Sequence, residues 1–315
     1  MSKTFKNFEE QIELLESMKL TIDDNDKLKW YLQAYNYQNI INGYNDFFMS
    51  NNDRKNNLYK KYATSNGIIE LFNFDRVISK NILSSIQNIE RMISTSTAYT
   101  IAKIMNDNNI NDGKIFNLDK NNILLKKIFI TTKDDVNLFN DVYEKLKNSY
   151  DTNKDCNKDI YKKYEKFDNI PIWAIVINAT FGNILFILKN LKENVFFMVM
   201  KNSTLKNWNN LNKGEIINLL TILKDIRNRI CHNNALYNIS ISNESKRLVI
   251  KKMINNDVHA HNSKMKLYEI IKVIEKFDPN TKDYLSNSIS NKFNEFKNIN
   301  AKIVEEIREN IWNKN

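Results

Sequence analysis

The sequence predicts an all-α protein, a helical bundle carrying extra helices and a polar insertion. Three observations point there. The chain has 5 Gly and 2 Pro in 315 residues, too few for the many special turns of a sandwich or barrel, although Asn replaces Gly at some left-handed positions. Apolar residues recur at three- and four-residue steps in several long stretches, the mark of a buried helix face. Hydrophobic residues are 42% and charged residues 27% of the chain, which supplies a real core and excludes wholesale disorder. The clustered glycines of a dinucleotide-binding turn or a phosphate-binding loop are absent. The length suits one large domain or two modest ones.

The elements follow in chain order. Residues 6–19 read as a first helix with Phe8, Ile12, Leu15 and Met18 on one stripe. Asp26 is placed to cap a second helix through Trp30, Leu32 and Tyr35, and Gly43 to end the aromatic-rich stretch after it. Residues 51–57 form a polar loop. The longest early helix spans 68–104, with Leu71, Phe74, Val77, Ile78, Ile82, Ile86, Ile89 and Ile93 on its core face. Residues 106–112 are a loop with Gly113 beyond. Residues 114–168 are the most polar region, with one short helix at 136–150. Pro171 marks the start of a helix, in which Gly182 either breaks the chain or allows close packing. Residues 215–231 form a strong helix with Ile217, Leu220, Leu223, Ile226 and Ile230 inward. Further helices fall at 243–257, 264–276 and 301–312, for a total of about eight to ten. The expected divisions are 1–113, 114–168 as insertion or lobe, 169–276 as the core carrying the motif below, and 277–315 as a tail.

The formal charge is +10, which favours an anionic partner such as RNA or DNA. Two cysteines, Cys156 and Cys231, make no disulfide framework and no CxxC metal knuckle. A reducing cytoplasm is the simple reading. The acidic N-terminal stretch lacks the apolar run of a signal peptide. The apolar window from Pro171 to Leu191 contains Asn178, Thr180 and Asn183, so it reads as a helical hairpin or core helix and not a membrane span.

One constellation carries chemistry. Arg227, Asn228 and His232 close the 215–231 helix in the sequence RNRICH. Asn228 and His232 are four apart and share a face. Arg227 and His232 are five apart, about 140° around an ideal helix, and meet in one cleft only if the helix ends near Cys231. Cleavage of RNA without a metal needs a base for the 2′-hydroxyl, an acid for the leaving 5′-oxygen and a cation for the phosphate. Histidine titrates near neutrality, and arginine presents a fixed charged fork. One histidine per chain is short of two proton-transfer groups, which a two-fold dimer would supply. From spacing alone, a helix-end pair that satisfies the last carbonyls is the simpler reading.

The surroundings add a resemblance. The stretch LKDIRNRICHNNALYN resembles the signature of the Abi-like proteins, a bacterial abortive-infection family, of the form RN-x-C-A-H-H-x-R-L-Y-N. Three other segments resemble the same family in the same order: FEEQIELLESMKLTIDD with YLQAYNYQNIINGYNDFF, then ELFNFDRVISKNILSSIQNIERMI, then FDNIPIWAIVINATFGNILFIL. The resemblance covers most of residues 6–240. It implies a HEPN-like helical bundle and a metal-independent endoribonuclease acting as a homodimer in phage defence or a toxin–antitoxin system. It also implies a small structured non-coding RNA as partner, no cofactor and no membrane. The implied centre is Arg227, Asn228 and His232. Glu90, Arg91, Arg229, Asn233, Tyr237 and Asn238 are implied as supporting or RNA-contacting residues. The chain departs from the pattern at Ile230, Cys231, Asn233 and Ala235, so an RNA-binding scaffold without chemistry is the alternative, and a protein-binding antitoxin a third.

Several residues carry two readings. Glu90 braces the centre or forms a surface pair with Arg91. Asp75 and Arg76 cap or salt-bridge. Tyr237 and Asn238 hold the exit of the motif or touch RNA. Trp173 reads as core. His259 and His261, with Asp257, read as an exposed loop and not a metal site. Cys231 beside His232 lacks the geometry of a nucleophile.

Overall fold

The backbone of the protein is organised by one helix of 42 residues, Ser65–Asn106, about 63 Å long at 1.5 Å per residue. The computed structural model describes residues 4–50, 58–108, 128–129, 135–152, 158–164, 166–241, 243–254, 266–281 and 283–311. The readings made above for 51–57, 109–113, Cys156, Asp257, His259 and His261, and parts of 114–168, lie outside these residues.

Thirteen α-helices occur among the described residues, more than the eight to ten expected. They are α1 Phe8–Ser17, α2 Asn25–Tyr37, α3 Ser65–Asn106, α4 Asp135–Thr152, α5 Lys158–Tyr164, α6 Ile172–Ile177, α7 Phe181–Asn190, α8 Glu193–Asn202, α9 Lys213–Cys231, α10 Glu244–Ile254, α11 Leu267–Phe277, α12 Tyr284–Phe293 and α13 Ala301–Ile311. Extended pairing is limited, among the described residues, to isolated bridges such as Thr21 with Thr64. The all-α expectation holds, as a helical bundle with extra helices. Among the described residues no helix is long and apolar enough to cross a membrane.

The chain divides into two compact units. The first holds residues 1–84, 225–275 and 280–315; the second holds 85–224 and 276–279. Both α3 and α9 run from one unit into the other.

In the first unit, α1 opens with a reciprocal capping box: the Asn7 side chain accepts from the Glu10 amide, and Glu10 accepts from the Asn7 amide. The cap of α2 is Asp24, whose carboxylate accepts from the Lys27 amide at 2.9 Å, and not Asp26. A π turn, Gln38–Asn42, ends at Gly43. There an added Cβ would stand 2.6 Å from the Asn39 carbonyl oxygen, which explains the glycine. The Gly67 amide donates to Thr64 Oγ1, and the Asn66 amide to Asp23 Oδ2, which satisfies the start of α3. Ile68, Leu71, Phe72, Ile78 and Ile82 of α3 are buried. Val77 is not: it is 39% exposed, a correction to the predicted stripe.

In the second unit, Ile86, Ile89, Ile93 and Ile101 of α3 join Phe181, Ile184, Leu188, Phe196 and Leu220 in the core. The window after Pro171, read as a helical hairpin or one core helix, is two helices. The first ends at Ile177 with Asn178 as its cap, and Thr180 caps the next by accepting from the Asn183 amide, so Gly182, inside the second helix, is not the breaker. Trp173 is 41% exposed and is not core. The described part of 114–168 is mostly helical and docked: Val142, Leu146 and Tyr150 of α4 are buried, and the Asn183 side chain donates to the Lys145 carbonyl.

Candidate functional site

The site lies in the first unit, where α9 ends. Ile226 and Ile230 are buried and turn the intervening Arg227, Asn228 and Arg229 to the half-buried flank. The His232 amide still donates to the Asn228 carbonyl at 3.0 Å, so both side chains leave one helical face. His232 is the last residue on that helical spiral, because Asn233 turns left-handed with φ 56°. The Asn233 amide donates to the Ile230 carbonyl and the Asn234 amide to the Arg229 carbonyl. These paired bonds close the helix end. Asparagine tolerates this conformation better than other non-glycine residues, which gives Asn233 a structural role where the resemblance has a second histidine. The helix ends at Cys231. His232 itself is exposed.

Two side chains fix the arginines. Arg227 Nη1 donates to Asn228 Oδ1 at 3.2 Å, which ties the first two motif residues together. Arg229 donates through Nε to the Ala235 carbonyl and through Nη2 to Asn238 Oδ1 at 2.9 Å. Arg229 and Asn238 thus staple the loop that follows His232.

That loop is anchored from below by Asp75. The carboxylate is 1% exposed. It accepts from the Leu236 amide at 3.0 Å, the Tyr237 amide at 2.5 Å and the Tyr44 hydroxyl at 2.7 Å. The Tyr44 ring stacks on Tyr237 with centroids 5.2 Å apart. Burial pushes the Asp75 carboxyl above its ordinary range, against the pull of these three donors. Burial likewise raises both phenols, with the Asp75 charge adding to Tyr44 and the charges of Asp46 and Asp75 adding to Tyr237. Tyr237 is 2% exposed, so of its two readings it holds the exit. Among the described residues Asp75 makes no direct ion pair, although the Arg229 charge acts on it; it receives a loop 161 residues away in sequence. Its neighbour Arg76 donates from Nη1 to Asn233 Oδ1 at 2.6 Å.

Sequence reasoning missed this node, although the buried acid stood in an apolar run and Tyr44 in an aromatic one. Glu90 and Arg91 lie further along α3, in the second unit; Glu90 is half-buried and Arg91 exposed. Among the described residues no group of three or more His, Cys, Asp or Glu is placed to hold a metal ion.

A cleft of about 540 Å³ borders the helix end. Arg76, Val77, Lys80 and Leu83 of α3 form one wall, and Ile230, Cys231 and Asn233 the other. Arg227 and His232 are not among its walls.

The first unit is thus defined by an RNxxxH helix end held by a buried aspartate on a neighbouring helix. The chain belongs to the family of Abi-like proteins, which it matches over residues 30–238. The matched span contains Tyr44, Asp75 and the whole motif, and closes on Asn238. No curated protein and no solved structure matches the chain.

Proposed function

We propose that this Abi-like protein is an endoribonuclease of phage defence with a HEPN-like bundle. Arg227, Asn228 and His232 form its centre and need no metal for the reaction. His232 exchanges the proton of the 2′-hydroxyl or of the leaving 5′-oxygen. Arg227 stabilises the charge on the phosphate, and Asn228 orients Arg227 through their hydrogen bond. A homodimer brings two such centres together and supplies the second proton-transfer group. A small structured RNA serves as the regulatory partner. The observation that carries this reading is the exposed His232 at a helix end braced by Asp75. A helix end that merely satisfied its own carbonyls would not need a buried acid, two tyrosines and an arginine staple behind it.

End-group analysis tests the chemistry. Attack by the 2′-hydroxyl leaves 2′,3′-cyclic phosphate on the products. Recovery of 3′-hydroxyl and 5′-phosphate ends alone overturns the mechanism.

A second reading is supported by Asn233. Where the resemblance has another histidine, Asn233 spends its carbonyl on Arg76 and its backbone on the cap. An RNA-binding scaffold without cleavage would keep its affinity for RNA after His232→Ala, and neither form would cut.

A further inference from the structure

The cleft beside the motif is unused by the chemistry above. Its walls hold two cations, Arg76 and Lys80, and no carboxylate. Both cations are exposed. Lys80 makes no ion pair among the described residues. One donor of the Arg76 fork is fixed on Asn233 Oδ1, and that contact holds the guanidinium at the rim. Between the cations, Val77 is 39% exposed and puts an aliphatic side chain into the wall. Leu83 and Ile230 continue this aliphatic surface. The volume lies within the ~300–1,000 Å³ of small-ligand sites.

The end of α9 borders the cleft with the opposite sign, and the Asp75 carboxyl is buried below it, outside its walls. A helix C-terminus carries roughly half a negative charge. The capping bonds of Asn233 and Asn234 already occupy two of its carbonyls. Two full positive charges therefore outweigh it, and the cleft attracts anions. Its position matters as much as its sign. Cys231 and Asn233, the residues on either side of His232, form its wall. A chain of phosphates held at His232 would pass its rim.

We propose that this cleft is the subsite for one nucleotide of single-stranded RNA flanking the scissile phosphate. Arg76 and Lys80 hold its phosphates, and Val77, Leu83 and Ile230 face its base. The assignment rests on the ribonuclease reading for the nature of its ligand. A base enters a cleft only when unpaired, so the subsite selects single strands. Val77, Leu83 and Ile230 carry no hydrogen-bonding side-chain group, while Ser79 and Asn233 also line the cleft, so what the aliphatic residues add is affinity and register.

Binding tests this apart from cleavage. The full chain carrying His232→Ala would be titrated into a 5′-labelled unstructured oligoribonucleotide at low salt, by fluorescence anisotropy. Lys80→Glu, which reverses a charge, and Val77→Trp, which fills the cleft without changing charge, should each weaken binding by about tenfold or more, and Lys80→Ala should lower the salt slope by about one. Lys302→Glu makes the same charge change on an exposed residue of α13 outside the cleft, and should stay within about twofold. Unchanged affinity in either cleft variant overturns the proposal. So does an equal loss in Lys302→Glu, which would assign binding to net charge. A change in sedimentation by Val77→Trp with RNA affinity intact would give the cleft to a second copy of the chain. Failure of the ribonuclease reading shows separately, as wild-type protein that binds the oligonucleotide and leaves it intact.

Discussion

Two buried carboxylates of the first unit are held in opposite ways. Glu275 is 6% exposed and neutralised locally. Lys272, one helical turn before it, donates at 2.9 Å, and Ser286 of α12 adds its amide and hydroxyl at 2.7 Å each. Asp75 has no cationic donor; it accepts from two loop amides and a phenol. Glu275 sews α11 to α12 and could be replaced by any pair of matching shape. Asp75 positions the loop that leaves His232, so its cost in desolvation is tied to the site. A buried charge without a direct ion pair is expensive, and Asp75, on which only the Arg229 charge acts from a distance, stands where three segments of the family resemblance converge.

The largest expected effect breaks that contrast directly. Asp75→Ala leaves two backbone amides and a hydroxyl buried without an acceptor, at ~1–3 kcal/mol each when fully orphaned. A loss of about 3–5 kcal/mol in urea unfolding is expected after partial relaxation. Glu275→Ala should cost only about 1–2 kcal/mol, since Lys272 is partly exposed and can be solvated. Equal costs would remove the distinction.

The pH dependence sharpens it. Burial raises Asp75 above the unfolded carboxylate value of about 3.9. Between those two values the unfolded chain has released a proton that the folded chain keeps. The Asp75 contribution is therefore fully present below about pH 4 and is lost as pH rises through the folded value. Asp75→Asn, which keeps one acceptor and removes the titration, should flatten that part of the stability curve. An unchanged slope in urea melts across pH would show that Asp75 does not titrate there.

Smaller effects lie at the edges of the node. Tyr44→Phe removes one hydrogen bond to the acid but keeps the stack on Tyr237, so a loss of about 1–2 kcal/mol is expected. At Asn233 the left-handed backbone decides. Asn233→Gly should be neutral within about 0.5 kcal/mol, and Asn233→Ala should cost about 1 kcal/mol. A reversed order in thermal melts would mean that the Arg76 bond, and not the backbone, governs the position.

Helices were legible wherever apolar spacing was regular, as along α3 and α9. The stripe of Ile217, Leu220, Leu223, Ile226 and Ile230 is buried as the periodicity requires. Periodicity failed where burial is set by neighbours distant in sequence. Val77 fits the stripe of α3 but faces a cleft, and Trp173 sits among apolar residues but points outward. Polar composition concealed α12, although Leu285, Ile289 and Phe293 recur every four residues and are buried. Gly182 stood as either a breaker or a packing glycine; α6 in fact ends at Ile177 and the Thr180 side chain caps α7. The motif residues were visible as a sequence pattern. What holds them was not, because Asp75 and Leu236 meet only through the tertiary fold.

The most direct measurement is cleavage of end-labelled structured and unstructured RNAs in EDTA. Wild-type protein stripped of bound nucleic acid would be compared with His232→Ala. Because His232 is exposed, its removal should leave stability within about 0.5 kcal/mol, so lost activity reports on chemistry. The account predicts EDTA-resistant cleavage by the wild type alone. Equal cleavage by both forms, or none by a folded and dimeric wild type, would contradict it.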